Sequence, residues 1–231
     1  MTGGTGALPG QLVVVDDVAG EFADRVVEAF HGRPHDTFSL ALSGGSTARR
    51  CYERLAQAAL SEIDWWKVDV YWGDERCVPH DHEDSNYRLA REALLDRVGA
   101  ANATHLMRCA EGADAYQLRL GDLGRLDLVH LGLGPDGHTA SLFPDSPALE
   151  ADPGRLVTLN HDPNGNNPYE RMTLTFAGIA RARLAVVTVA GSEKAEALAA
   201  VASRDDLPAS RIAAARVLWL VDRDAAALLD G

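Results

Sequence analysis

Lysine is almost missing from this chain of 231 residues: only Lys67 and Lys194 occur, and arginine supplies the rest of the 22 basic side chains. Against 34 acidic residues they leave a formal charge of −12. A phosphate backbone needs a basic face and no basic cluster interrupts the sequence, so no nucleic-acid partner is expected. Long apolar runs are missing too. None nears the ~18 residues of a membrane span, and no membrane association is expected. The opening MTGGTGALPGQ lacks a basic segment followed by an apolar core, so residues 1–10 read as a loose tail and not as a signal peptide. The three cysteines, Cys51, Cys77 and Cys109, stand far apart without CxxC spacing. That argues against a disulfide scaffold or a zinc ribbon and fits a reducing cytoplasm.

What is present suits a globular protein: 46% of residues are hydrophobic and 24% charged. Apolar runs at 12–15, 38–42, 68–72, 126–133, 156–159, 172–176, 184–189 and 217–221 read as strands. Helical patterns fall between or after them, from Asp16 or Asp17 to about Phe30, at 48–60, from a Ser85 cap to about Val98, and at 113–123, 193–203 and 222–229. Alternation of this kind predicts a three-layer α/β/α, Rossmann-like fold with a largely parallel sheet and helices on both faces. No Pro/Gly/Ser linker divides the chain, since Asp162–Pro168 is short enough to be a surface loop, so residues 1–231 read as a single domain.

In open α/β sheets, ligands bind beyond the carboxyl ends of the strands. Three turns there carry unusual residues, at 43–47, 73–76 and 132–138, and their convergence would form one pocket. Ser43-Gly44-Gly45-Ser46-Thr47 joins a strand to a helix and offers N–H groups, hydroxyls and a helix N-terminus to an anion. It lacks the Gly-Lys-Ser/Thr element of a Walker loop, and Ala41 breaks the Gly-x-Ser-x-Gly pattern of a nucleophile elbow. Gly132-x-Gly134-x-x-Gly137 matches the dinucleotide fingerprint only formally. Pro144 forbids the long helix that should follow, and the next strand ends in Asn160, not in an acid for a ribose.

The same turn delivers Asp136 and His138. Imidazole titrates near ~6.5 and can take a proton from water at neutral pH, so His138 is the candidate general base, with Asp136 orienting the ring or holding the water. His80-x-His82 in PHDHED has no third ligand at a useful spacing, so no metal is expected. Arg76 and Arg171 can each offer a planar fork to a phosphate or carboxylate. Lys194 opens a helix, where a cation opposes the dipole, and that local cost points to a substrate phosphate.

Together SGGST (43–47), WGDERCVPHDHEDSNYRLA (72–90), LGLGPDGHTASLFP (131–144), RMTLT (171–175) and GSEKAEAL (191–198) resemble the 6-phosphogluconolactonase family. The resemblance implies a glucosamine-6-phosphate isomerase-like fold and cytoplasmic hydrolysis of 6-phospho-D-glucono-1,5-lactone in the oxidative pentose phosphate pathway, without metal or organic cofactor. It places the catalytic histidine at His138, beside Asp136. The phosphate falls to Ser43, Gly44, Gly45, Ser46 and Thr47 with Arg76, Arg171 and Lys194, and the oxyanion to backbone N–H groups of the Gly132, Gly134 and Gly137 turn. A monomer or weak homodimer is expected. Two departures stand out: Asp145 replaces a glycine found in many relatives, and FAGIA follows RMTLT in place of a proline-containing turn. The related deaminase/isomerase branch carries a glutamate soon after its histidine, whereas this chain reads Thr139-Ala140-Ser141-Leu142-Phe143. A non-catalytic sugar-phosphate sensor would need a DNA-binding module, and none is visible.

Overall fold

The computed structural model describes residues 8–58, 61–203 and 206–229. Seven parallel strands form the main sheet: β1 (Gln11–Val14), β2 (Phe38–Leu42), β3 (Val68–Trp72), β5 (Ala103–Thr104), β6 (Leu128–Gly132), β9 (Leu184–Val189) and β10 (Arg216–Val221). Their spatial order is β1-β10-β9-β6-β2-β3-β5. Every residue of β2 and β9 is buried, as expected for strands covered on both faces, and their predominantly apolar sequences follow from that.

Helices surround the sheet. The Asp17 carboxylate caps α1 (Val18–His31) by accepting the Gly20 N–H at 3.0 Å, and Val18, Phe22, Val26 and Phe30 form its buried stripe. That face packs against α2 (Ser46–Ala58), which turns Ala48, Cys51, Tyr52 and Leu55 inward. Leu60, the expected end of this helix, lies outside the described residues. The Ser85 hydroxyl caps α3 (Asn86–Ala90) by accepting the Arg88 N–H, and a π-helical turn, Arg91–Leu95, continues it. Later come α4 (Gly112–Leu123), α5 (Phe176–Ala180) and α6 (Ala195–Ser203). The expected helix at 222–229 is a 3₁₀ turn, Ala225–Leu228.

The strand order reverses beside β2. From β2 the sheet grows outward through β3 and β5, while β6, β9 and β10 fill its other side. Loops leaving β2 and β6 therefore diverge and open a crevice at their carboxyl ends.

A second sheet was not expected. Immediately after β3, Gly73 turns the chain into β4 (Asp74–Arg76), which pairs antiparallel with β8 (Arg171–Leu174), itself paired with β7 (Val157–Asn160). The segments read as strands at 156–159 and 172–176 thus leave the parallel sheet, and residues 74–76, read as a turn, are a strand. The local pattern holds apolar alternation but not the identity of the partner strand. The FAGIA segment forms α5, capped by Thr175 on the Gly178 N–H at 3.1 Å. Asp145 takes φ +62°, a left-handed conformation that aspartate tolerates and glycine adopts freely.

Two further expectations are corrected. Leu8–Gly10 are tied down, because Trp219 Nε1 donates to the Pro9 carbonyl at 2.9 Å; residues 1–7 of the expected tail lie outside the described residues. Cys77 and Cys109 form a disulfide, leaving Cys51 as a buried free thiol. Spacing in sequence concealed the pair, which the fold brings together from the end of β4 and the turn before α4. Its sequence separation of 32 implies roughly 3–4 kcal/mol of stabilisation through loop closure in the unfolded chain. Reduction by a dithiol should therefore lower the melting temperature by several degrees, and a scan unchanged by reductant would refute that contribution.

Candidate active site

The loop leaving β2 needs glycine twice. Gly45 sits at φ +95°, and a Cβ on Gly44 would fall 1.8 Å from Asn86 Oδ1. The loop runs straight into α2, whose first turn leaves N–H groups without helical partners at the positive end of the dipole.

The loop leaving β6 closes when the Gly134 N–H donates to the His138 carbonyl at 2.8 Å and the Gly137 N–H to the Gly134 carbonyl at 3.1 Å. Asp136 Oδ1 accepts from His138 Nδ1 at 2.5 Å and from the His138 backbone N–H at 3.2 Å. Assigning the ring proton from this bond puts it on Nδ1 and leaves the Nε2 lone pair free to accept. Burial pushes the Asp136 pKa up, but the hydrogen bonds and charge of His138 outweigh it and hold the carboxyl below its ordinary value. Phe143 packs edge-on to the imidazole with ring centroids 4.9 Å apart.

Arg76 and Arg171 face each other across the β4–β8 register. Arg76 Nη1 donates to the Asp84 carbonyl at 2.5 Å, and Arg171 Nη2 to that of Pro168 at 3.1 Å. Both Nε–H groups are buried and unpartnered, and among the described residues neither arginine closes an ion pair. Burial first, and then the charge of Arg76, lowers the Arg171 pKa. Two adjacent guanidinium groups with spare donors form a site that an anion would stabilise. Lys194 Nζ donates to the Leu133 carbonyl at 2.8 Å and keeps two further N–H donors.

Ser43, Gly44, Gly45, Arg76, Gly132, Gly134, His138, Arg171 and Lys194 line one cavity of about 190 Å³ at the crevice. Ser46 and Thr47 line an adjoining cavity of about 160 Å³ that shares Gly44, Gly45, Gly132 and Lys194. Asp136 lines neither, and its link to the cavity is the His138 ring it holds.

The expected oxyanion role of the glycine turn does not fit at two positions. The amides of Gly134 and Gly137 are already committed within the turn. Gly137 also faces away: its carbonyl accepts the Ala209 N–H at 3.0 Å, and a Cβ there would lie 3.0 Å from Leu207 Cδ1.

Four further polar side chains line the larger cavity: Asp74, Asn86, Ser141 and Asn167. Asp74 Oδ2 accepts the Ser141 hydroxyl at 2.6 Å, and Asp74 Oδ1 accepts Asn86 Nδ2 at 3.2 Å. Below them the Glu75 carboxylate accepts the backbone N–H groups of Arg76, Asn86 and Tyr87 and the Ser85 hydroxyl, fixing β4 to α3. Asn167 is held by Asp162 within the stretch read as a surface loop. Asp74, Asn86 and Ser141 lie inside the motif segments quoted above, so the signal was there. Asn167 had none. The PHDHED histidines are used locally: His82 Nδ1 accepts the Asp84 N–H at 3.1 Å, and the His80 ring stands edge-on to Tyr87. Among the described residues no group of three or more His, Cys, Asp or Glu is placed to hold a metal ion.

The fold is that of the doubly wound α/β proteins whose ligand crevice opens where the strand order reverses. The chain belongs to the family of glucosamine-6-phosphate isomerases and 6-phosphogluconolactonase, whose model matches residues 11–219. It is 40% identical over 220 residues to a 6-phosphogluconolactonase from Synechocystis sp., covering 87% of this chain and 88% of that one. It is 41% identical over 211 residues to the protein of the same name from Nostoc sp., covering 83% and 85%. Among solved structures, 6-phosphogluconolactonase from Leishmania guyanensis superposes with a TM-score of 0.81 at 29% identity, covering 97% of this chain and 100% of that one.

Proposed function

We propose that this chain hydrolyses 6-phospho-D-glucono-1,5-lactone to 6-phospho-D-gluconate, the lactone step of the oxidative pentose phosphate pathway. One observation carries the reading: an imidazole held by a carboxylate shares a single cavity with Arg76, Arg171 and Lys194, none of them in an ion pair among the described residues. In a protein of formal charge −12, that local concentration of cations is what a phosphorylated substrate requires.

A lactone is an activated ester, so no covalent enzyme intermediate is needed. The phosphate is held by the Ser43–Thr47 loop and the cations, which brings C1 to His138. His138 Nε2 takes a proton from water as its oxygen bonds to C1; the imidazolium then protonates the ring oxygen as the C1–O bond breaks. Asp136 opposes the charge that develops on the ring. Proton removal by His138 is enough to activate the water, so this reading invokes no metal or organic cofactor. We read residues 1–231 as one catalytic domain, cytoplasmic, a monomer or weak homodimer with no nucleic-acid partner. Among the described residues no helix is long and apolar enough to cross a membrane. A deaminase of the same fold is disfavoured because residues 139–143 contain no acid.

The test is lactone disappearance with freshly generated substrate against the spontaneous rate, beside an ammonia assay on glucosamine 6-phosphate. Catalysed lactone loss without ammonia is expected; ammonia release, or no acceleration, refutes the assignment. Arg171→Met should raise KM by about 10–100-fold, the worth of a charge-assisted hydrogen bond, with a smaller change in kcat. An unchanged KM removes Arg171 from the phosphate site.

A further inference from the structure

Beneath the Ser43–Gly45 loop lies a polar column that the mechanism above does not use. Ser43 is the first residue beyond β2, and its backbone does not simply run on into the loop. The Tyr52 hydroxyl, carried by α2, accepts the Ser43 N–H at 2.6 Å and donates to the Ser43 carbonyl at 3.1 Å. Behind Tyr52 stands His130 of β6, with Nδ1 at 3.0 Å from the hydroxyl. Behind His130 stands Thr188 of β9, with Oγ1 at 2.8 Å from Nε2. Tyr52 and His130 are fully buried and Thr188 nearly so.

One proton assignment satisfies every atom. Ser43 N–H and His130 Nδ1–H both donate to the Tyr52 oxygen, Tyr52 donates to the Ser43 carbonyl, and Thr188 donates to His130 Nε2. Burial pushes the His130 pKa down to about 3, so the ring is neutral and the arrangement does not change near neutral pH. Phe22 covers the imidazole with ring centroids 4.2 Å apart.

The elements joined matter more than the bonds. β2 leads into the Ser43–Thr47 loop. β6 reaches Gly132 two residues after His130 and then the His138 turn. β9 leads through Gly191 to Lys194. The column therefore links the roots of three loops that meet at the cavity, across the point where the strand order reverses. His130 and Thr188 also line the adjoining cavity with Ser46, Thr47 and Lys194. An apolar core would fill this space equally well; a fully satisfied polar chain additionally fixes one relative placement of the strands it joins.

We propose that Tyr52, His130 and Thr188 are positioning residues that hold the phosphate cradle at a set distance from the His138 turn, and so select the span between phosphate and carbonyl that the site accepts. The inference rests on the lactonase reading of that cavity. Loosening the column weakens the grip on phosphate and leaves the Asp136–His138 pair intact.

The experiment compares the wild type with Tyr52→Phe, Thr188→Val and the double variant. Tyr52→Phe removes one oxygen and leaves both Ser43 backbone groups without their partner. KM for the phosphorylated lactone and the inhibition constant of inorganic phosphate should rise together by about tenfold, while kcat changes by less than about threefold. Thr188→Val should shift both constants the same way by a smaller factor. The double variant should be no worse than Tyr52→Phe alone, because both act through one chain of bonds. A melting temperature that falls while KM and the phosphate constant stay at wild-type values makes the column merely structural and overturns the proposal. Should Tyr52→Phe fail to fold, Thr188→Val decides by the same two constants. A wild type that neither hydrolyses the lactone nor is inhibited competitively by phosphate refutes the underlying reading instead, so the two failures are distinguishable.

Discussion

His138→Ala should lower kcat by about 10²–10⁴-fold, the usual loss when a positioned general base is removed, with little effect on KM or on inhibition by phosphate. The expectation follows from a division of labour in the cavity. On the proposed mechanism the cations and the Ser43–Gly45 loop grip the anionic tail whether or not the imidazole is present, whereas proton removal from water depends on Nε2 alone. Asp136→Asn should give a smaller loss of the same kind. An amide at that position can present its own N–H to Nδ1, which favours the tautomer with the proton on Nε2 and leaves no lone pair facing the water. Steady-state rates with freshly generated lactone, corrected for spontaneous opening, measure both. A purified, folded His138→Ala enzyme within threefold of wild-type turnover would remove the imidazole from the reaction. The stability cost should be modest, because both side chains of the Asp136–His138 pair keep some exposure to solvent.

How much of this was legible beforehand depends on the range of the interaction. FSLAL at 38–42 and LAVVTV at 184–189 announce strands buried on both faces, because parallel strands between helix layers have no polar side to show. The glycine corners at 43–45 and 132–138 announce themselves for a similar reason, since close backbone approach excludes side chains. Asp136 and His138 are two residues apart, so their contact is local and readable. Arg76 and Arg171 are each visible as arginines near a strand end, yet nothing local says that β4 and β8 pair and set them side by side. The pairing of Cys77 with Cys109 was hidden in the same way, and the absence of CxxC spacing pointed away from it. Gly137 misled in the opposite sense. It completes a glycine pattern, but its place is explained by Leu207 and Ala209, which close over it from a distant segment. Tyr52 and His130 fall within segments read as a helix and a strand, but their contact was not legible, because secondary structure is encoded locally while the identity of a hydrogen-bond partner is not.

Gly134 offers the second large effect, and it separates packing from backbone strain. A Cβ on this residue would lie 2.1 Å from both Cε1 and Nδ1 of His138 and 2.6 Å from its Cγ, so the whole ring, not only its tip, stands where the methyl group would go. Gly134 is not among the glycines with positive φ, so alanine is compatible with its backbone and the conflict is with the imidazole alone. The ring must swing away, and Nδ1 then loses Asp136. Gly134→Ala should therefore cost on the order of 10²-fold in kcat, as a misplaced base does, while the melting temperature moves little. Gly137→Ala provides the contrast. With φ at +81° and Leu207 in contact, it should destabilise the fold by about 1–2 kcal/mol and affect kcat less than Gly134→Ala does. Combining Gly134→Ala with His138→Ala completes the argument: once the ring is gone the added methyl has nothing to displace, so the double variant should be no slower than His138→Ala alone. A double variant markedly slower than His138→Ala would mean that Gly134 serves the reaction by some route other than making room for the imidazole.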